Sequence, residues 1–186
     1  NNNFRVSLNY LYDEFVFDPD IEIGKEHGKA FSIRLAYTPL FSKNHLFTLY
    51  SSLVYVGTPT FRHSVGTNNF VQDGRPLGWY RGSDGQEICI GMNYFNNNDL
   101  IVNIFMGLLE SGEETITNKI FKSYSDYLKG PFPSGEVEEK FYIETNIIFW
   151  WKENYSVSSS FYWSKNINEF NLKLNIPIFP LFRKQL

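Results

Sequence analysis

Between residues 61 and 84 the chain gathers Phe61, Trp79 and Tyr80 with Arg62, His63, Arg75, Arg81 and Asp84, a mixture of aromatic faces, cationic groups and a carboxylate. That mixture suits a saccharide: the apolar face of a sugar ring stacks on an aromatic, and its hydroxyls take contacts from guanidinium and carboxylate groups. Arg75, Trp79, Tyr80 and Arg81 are the first candidates for ligand binding, with Arg62, His63 and Asp84 beside them. A second stretch carries Tyr124, Tyr127, Lys129 and Phe132 and has a similar character. The competing use of all these side chains is to pack their own loops in place.

Other chemistries find no support in the residues. Ser156, Ser158 and Ser160 share one face of a strand, but His27, His45 and His63 sit on other segments, and no Ser has Gly two residues away on both sides, so no nucleophile elbow exists. Asp13 and Glu14 are adjacent in an extended segment and point to opposite faces, so they cannot act together as an acid and base pair. No two His or Cys residues share a metal-ligand spacing, and the single Cys89 forms no disulfide framework. GSDGQE, residues 82 to 87, has an acidic, Gly-rich look but lacks a twelve-residue calcium ligand ladder, and reads as a turn entering a strand. No enzyme, metal or cofactor is expected.

The elements that must position the candidates are strands. Eight stretches alternate apolar with polar or small residues at a period of two. In residues 31 to 38, Phe31, Ile33, Leu35 and Tyr37 fall on one face, and Ser32, Arg34, Ala36 and Thr38 on the other. The pattern recurs from Phe4 to Tyr12, Phe47 to Tyr55, Ile88 to Tyr94, Leu100 to Leu108, Phe141 to Trp151, Tyr155 to Trp163 and Phe170 to Ile176. A tilted strand needs about 9 to 11 residues to cross a bilayer, whereas strands of soluble proteins run about 5 to 6. Connections at 39–44, 96–99 and 152–154 are short and those at 57–85 and 110–136 are long, the rhythm of periplasmic turns and external loops. On that topology Lys165 to Asn168 is a short external connection, and both chain ends lie on the periplasmic side.

The aromatics add a second signal. Phe4, Tyr37, Phe47, Tyr94, Trp151 and Tyr155 fall at the periplasmic strand ends, and Tyr12, Phe31, Tyr55, Trp163 and Phe170 at the external ends, as two interfacial girdles would. A soluble sandwich also alternates, but it has no reason to sort its rings toward strand ends. The sequence predicts an all-β chain: an antiparallel transmembrane β-barrel of about eight strands occupying residues 1–186, in a bacterial outer membrane. The polar-face charges Arg5, Asp13, Arg34, Glu87, Lys140, Glu144 and Lys173 are expected to neutralise one another and fill the interior, with a solute pathway as the alternative. PFPSGE, residues 131 to 136, reads as a rigid turn that aims its loop.

Composition agrees. Of 186 residues, 18% are aromatic and 20% charged, and the mean hydropathy is -0.30. So modest a mean fits a membrane protein only where polar residues alternate with apolar ones, because a helical span needs about 20 apolar residues in a row. A net charge of -3 without a basic stripe excludes nucleic acid as a partner. The chain starts at NNNFRVSLNY without Met or a signal peptide, so either a removed export signal or a longer parent is expected.

Three blocks carry a resemblance. LNYLYDEFVFD, residues 8 to 18, contains the acidic pair Asp13 and Glu14 before Phe15. LYSSLVYVGTPTFRH, residues 49 to 63, runs a strand into an aromatic followed by a basic residue and His. GRPLGWYRGSDGQEICIGMNYF, residues 74 to 95, carries Leu-Gly, a short spacer and Gly-x-Asp-x-x-Glu leading into a strand. In order and spacing they resemble the Wzi-type capsule assembly family of bacterial outer-membrane proteins. The resemblance implies a lectin-like protein that attaches or organises capsular or other surface polysaccharide, with outer-membrane lipid around it. Members of that family are much longer, so it also implies that this chain is the C-terminal part of a larger barrel. Two rivals stand beside it: a porin or specific sugar channel, and a small eight-stranded barrel complete in itself, which requires Phe4–Tyr12 to pair with Phe170–Ile178.

Overall fold

The alternating stretches form strands in the computed structural model, which describes residues 3–13, 23–62, 70–96, 99–117, 128–152 and 155–176. In chain order they are β1 (Phe4–Asp13), β2 (Gly28–Phe41), β3 (His45–Val56), β4 (Val71–Gln72), β5 (Arg75–Pro76), β6 (Gly85–Asn96), β7 (Leu100–Ser111), β8 (Glu138–Lys152), β9 (Tyr155–Ser164) and β10 (Ile167–Asn175). No described residue is helical. Eight strands make one antiparallel sheet in the order β1-β2-β3-β6-β7-β8-β9-β10, and β4 and β5 form a separate ribbon. Every neighbour in the large sheet is also a neighbour in sequence once the ribbon is set aside, so the sheet is a plain meander.

Register keeps one face apolar across the whole sheet. Leu8 faces Ile33, Ile33 faces Leu53, Leu53 faces Ile88, and Ile88 faces Leu108. This row is exposed: Leu8 is 68% and Leu108 56% accessible. On the opposite face Cys89, Tyr142 and Ser156 are buried. A soluble sheet with one wet side puts its polar residues outward. Here the polarity is reversed. Aromatic rings pair across the apolar face at both ends, Phe31 with Tyr55 at 5.2 Å and Phe141 with Trp163 at 5.9 Å near the long loops, and Trp151 with Tyr155 at 5.9 Å near the short turns.

The polar face is organised by rings lying on glycines. Tyr50 stands opposite Gly91 and Tyr142 opposite Gly107. A Cβ on Gly107 would lie 2.5 Å from the Tyr142 ring, so only glycine leaves room for it. Charges here are met by rings and amides. The Arg34 guanidinium lies 4.7 Å from the Tyr50 centroid, the Lys140 ammonium 5.1 Å from that of Tyr162, and Asn146 donates to Glu144 at 2.9 Å. Among the described residues none of the inward charges lies within ion-pair distance of another.

The sheet does not close. β1 pairs only with β2 and β10 only with β9, which leaves their outer edges uncovered among the described residues. The eight-stranded barrel complete in itself is therefore corrected to an open sheet. The reason is one of pairing: among the described residues each edge strand is hydrogen-bonded to a neighbour on one side alone, and no ladder joins β1 to β10.

Candidate functional site

The long connections gather at the end of the sheet where β3 and β7 finish and β6 and β8 begin. Asp84, in the left-handed region at φ 60, holds them together. One carboxylate oxygen accepts from Thr58 Oγ1 at 2.8 Å and from the Ser134 backbone N–H at 2.9 Å. The other accepts from Ser134 Oγ at 2.5 Å and from the Glu114 N–H at 3.0 Å. Asp84 is wholly buried. Arg62 is also buried, and its guanidinium donates to the Glu114 carbonyl. Asp13 accepts the Phe61 N–H at 2.8 Å, and Thr60 donates to the Lys29 carbonyl at 2.9 Å, fastening the same loop to β1 and β2. The β1–β2 and β7–β8 loops also meet, through a bridge between Lys25 and Leu128.

Glu87 on β6 is a second hub. Tyr142 donates to its Oε1 at 2.5 Å, Tyr80 to the same oxygen at 2.9 Å, and Trp79 Nε1 to Oε2 at 3.3 Å. The carboxylate thus draws two loop aromatics down onto the polar face, where they meet edge to face at 5.7 Å. Gly85 makes the approach possible, because a Cβ there would lie 2.9 Å from the Trp79 ring. Desolvation first, and the adjacent Glu87 carboxylate second, push the Tyr80 hydroxyl well above the ordinary tyrosine range, so it stays a donor.

Replacing Gly107 with alanine tests this arrangement, since the new Cβ must displace the Tyr142 ring and break its bond to Glu87. The expected cost is about 1–3 kcal/mol. A denaturant series should show it vanish in a Tyr142→Ala background.

Beside the hub lies a cleft of about 250 Å³ lined by Tyr80, Arg81, Ser111, Gly112, Glu113, Thr115, Thr117, Glu136 and Glu138. Arg81 spans it to Glu138 at 2.5 Å, and Thr115 Oγ1 donates to the Arg81 carbonyl at 2.6 Å. It presents an exposed ring, a guanidinium, hydroxyls and carboxylates within one concavity.

No protein-family model, curated protein or solved structure matches this chain. The site therefore rests on its own geometry.

The structure divides the candidates. Tyr80 and Arg81 line the cleft. Trp79 anchors the loop through Glu87, and Arg75 stands on the β4–β5 ribbon without lining the cleft. Arg62 and Asp84 are corrected from ligand contacts to loop fasteners, because both are buried and bonded to neighbouring loops. His63, Glu14, Tyr124 and Tyr127 lie outside the described residues. Ser134, inside PFPSGE, binds Asp84, so that turn does aim its loop. Sequence reasoning missed Glu113, Glu136 and Glu138 as cleft residues. No local spacing joins them to Tyr80; only the strand order does.

Proposed function

We propose that the chain is part of a bacterial outer-membrane β-barrel of Wzi type that binds capsular or surface polysaccharide at the cell exterior without catalysis. The observation that carries the membrane part is the exposed apolar face that runs across all eight strands of the sheet. In hydrocarbon only a closed barrel satisfies all strand edges. The free edges of β1 and β10 would then be joined by strands of a larger barrel, of which this is the C-terminal part.

The polysaccharide part rests on the Tyr80–Arg81 cleft at the end where the long loops gather. A polymer held by many copies needs little affinity at each. The test is binding of the host's purified surface polysaccharide to detergent-folded protein. Saturable binding is expected, with Tyr80→Ala and Arg81→Ala each weakening it by about tenfold, as for loss of one stacked ring or one charge-assisted contact. A folded protein that binds no polysaccharide would sink the reading.

One observation favours a second reading. At the short-turn end the polar face holds a trough of about 740 Å³ lined by Arg5, Ser7, Arg34, Thr38 and Thr48, among others. Such a lining suits solute passage. Large, stable openings in planar bilayers would move a sugar channel to the front.

A further inference from the structure

The cleft is strongly biased in charge. Glu113, Glu136 and Glu138 line it against the single guanidinium of Arg81, which Glu138 already engages. Glu113 and Glu136 form no ion pair and their side chains no hydrogen bond among the described residues. Among the described residues no three His, Cys, Asp or Glu side chains converge as metal ligands. A second feature points to a ligand independently of charge. Ser111, at 4% exposure, lines the cleft, and its hydroxyl has no hydrogen-bond partner among the described residues. With the rest of the residue covered, that oxygen is the part left open on the cleft, where an incoming polar group can reach it.

Resting on the polysaccharide reading, we infer that the cleft selects a sugar residue bearing a free amine, as in an unacetylated hexosamine, and rejects uronic acids. Tyr80 offers a ring for the sugar's apolar face, and Ser111 hydrogen-bonds a hydroxyl. Glu113 and Glu136 take the ammonium through charge-assisted hydrogen bonds. An acidic residue in the same place would meet two unpaired carboxylates with only an already engaged Arg81 to offset them. Like-charge juxtaposition of this kind is how interfaces exclude wrong partners.

The experiment titrates the full chain, folded in detergent at physiological salt, with a glucosamine tetramer, its N-acetylated counterpart and a galacturonate tetramer. The glucosamine tetramer is expected to bind tightest and the galacturonate not at all. The Glu113→Gln/Glu136→Gln double variant alters exposed side chains and leaves the Asp84 hub intact. It should weaken glucosamine binding by about tenfold or more while changing N-acetylated binding little. Ser111→Ala should weaken both. Galacturonate binding as tightly as glucosamine overturns the inference. So does a double variant that binds glucosamine normally, or displacement of glucosamine by an equal concentration of tetralysine, which reduces the effect to bulk charge. If the N-acetylated tetramer binds, loses its affinity on Tyr80→Ala, and glucosamine gains nothing from the carboxylates, the polysaccharide reading stands and amine selection fails. If no tetramer binds while the host's surface polysaccharide does, amine selection alone fails; if neither binds, both fail.

Discussion

Replacing Asp84 with alanine is expected to lower the unfolding free energy by about 3–5 kcal/mol, because the change strands several buried donors at once and each costs about 1–3 kcal/mol. The donors are Thr58 Oγ1, the Ser134 N–H and hydroxyl, and the Glu114 N–H. Thr58 belongs to the β3–β6 connection and the others to two stretches of the β7–β8 connection; the Glu114 N–H keeps Ser134 Oγ as an acceptor at 3.2 Å, but no single group replaces the carboxylate for the rest. The damage should be directional. The large sheet keeps its ladders, while residues 57–62, 112–117 and 131–136 come loose together and become sensitive to protease. Since Thr115 and Glu136 ride on those segments, and Thr115 holds the Arg81 carbonyl, the cleft should lose its shape. Ser134→Ala, which removes one hydroxyl and leaves the carboxylate, should cost only about 1 kcal/mol. Chemical denaturation with limited proteolysis of both variants checks the ranking. Equal small losses would show that Asp84 does not hold the loops.

How much of this was legible in the residues depends on range. All eight long strands were readable, because period-two alternation is local: Phe31, Ile33, Leu35 and Tyr37 declare a face without knowing their neighbours. The lengths of the turns were also readable, and β2 meets β3, and β8 meets β9, over short connections where expected. β2 ran longer than expected because the register shift between Tyr37 and Leu40 lets the strand pass through Pro39. The β4–β5 ribbon was missed although its signal was present. Asp73-Gly74, with φ 50 and φ 74, is the dipeptide of a tight hairpin turn, but strands of two residues show no alternation. The candidate site was half legible. Tyr80 and Arg81 could be chosen by type. That Asp84 and Arg62 face inward could not, since their partners Ser134 and Glu114 lie far along the chain and are reached only once β6 and β7 are paired. The self-closed eight-stranded barrel, weighed only as a rival, could not be decided from pattern, since alternation says which face a residue takes and not whether β1 meets β10.

Changing Ile90 to arginine is expected to cost about 2–4 kcal/mol if the apolar face meets the middle of a bilayer, and to stay within about 0.5 kcal/mol if it meets water. Ile90 lies midway along β6, between Ser51 of β3 and Met106 of β7, and is 51% exposed. Seven inter-strand spacings of about 4.8 Å and strands of about 30 Å give this face on the order of 1,000 Å². The largest apolar patch on a typical soluble monomer is about 300–600 Å². Depth supplies the control. Leu100, on the same face at the turn end, stands between Asn96 and Phe149, where an arginine would reach the headgroup level and cost about 0–1 kcal/mol. Unfolding titrations in lipid vesicles should therefore rank Ile90→Arg well below the unsubstituted chain and Leu100→Arg close to it. A membrane face produces that gradient because the price of a charge depends on its distance from water, whereas a wet face treats both positions alike. Matching small effects at the two sites would remove the bilayer from the account and leave the exposed apolar face as a surface for another protein.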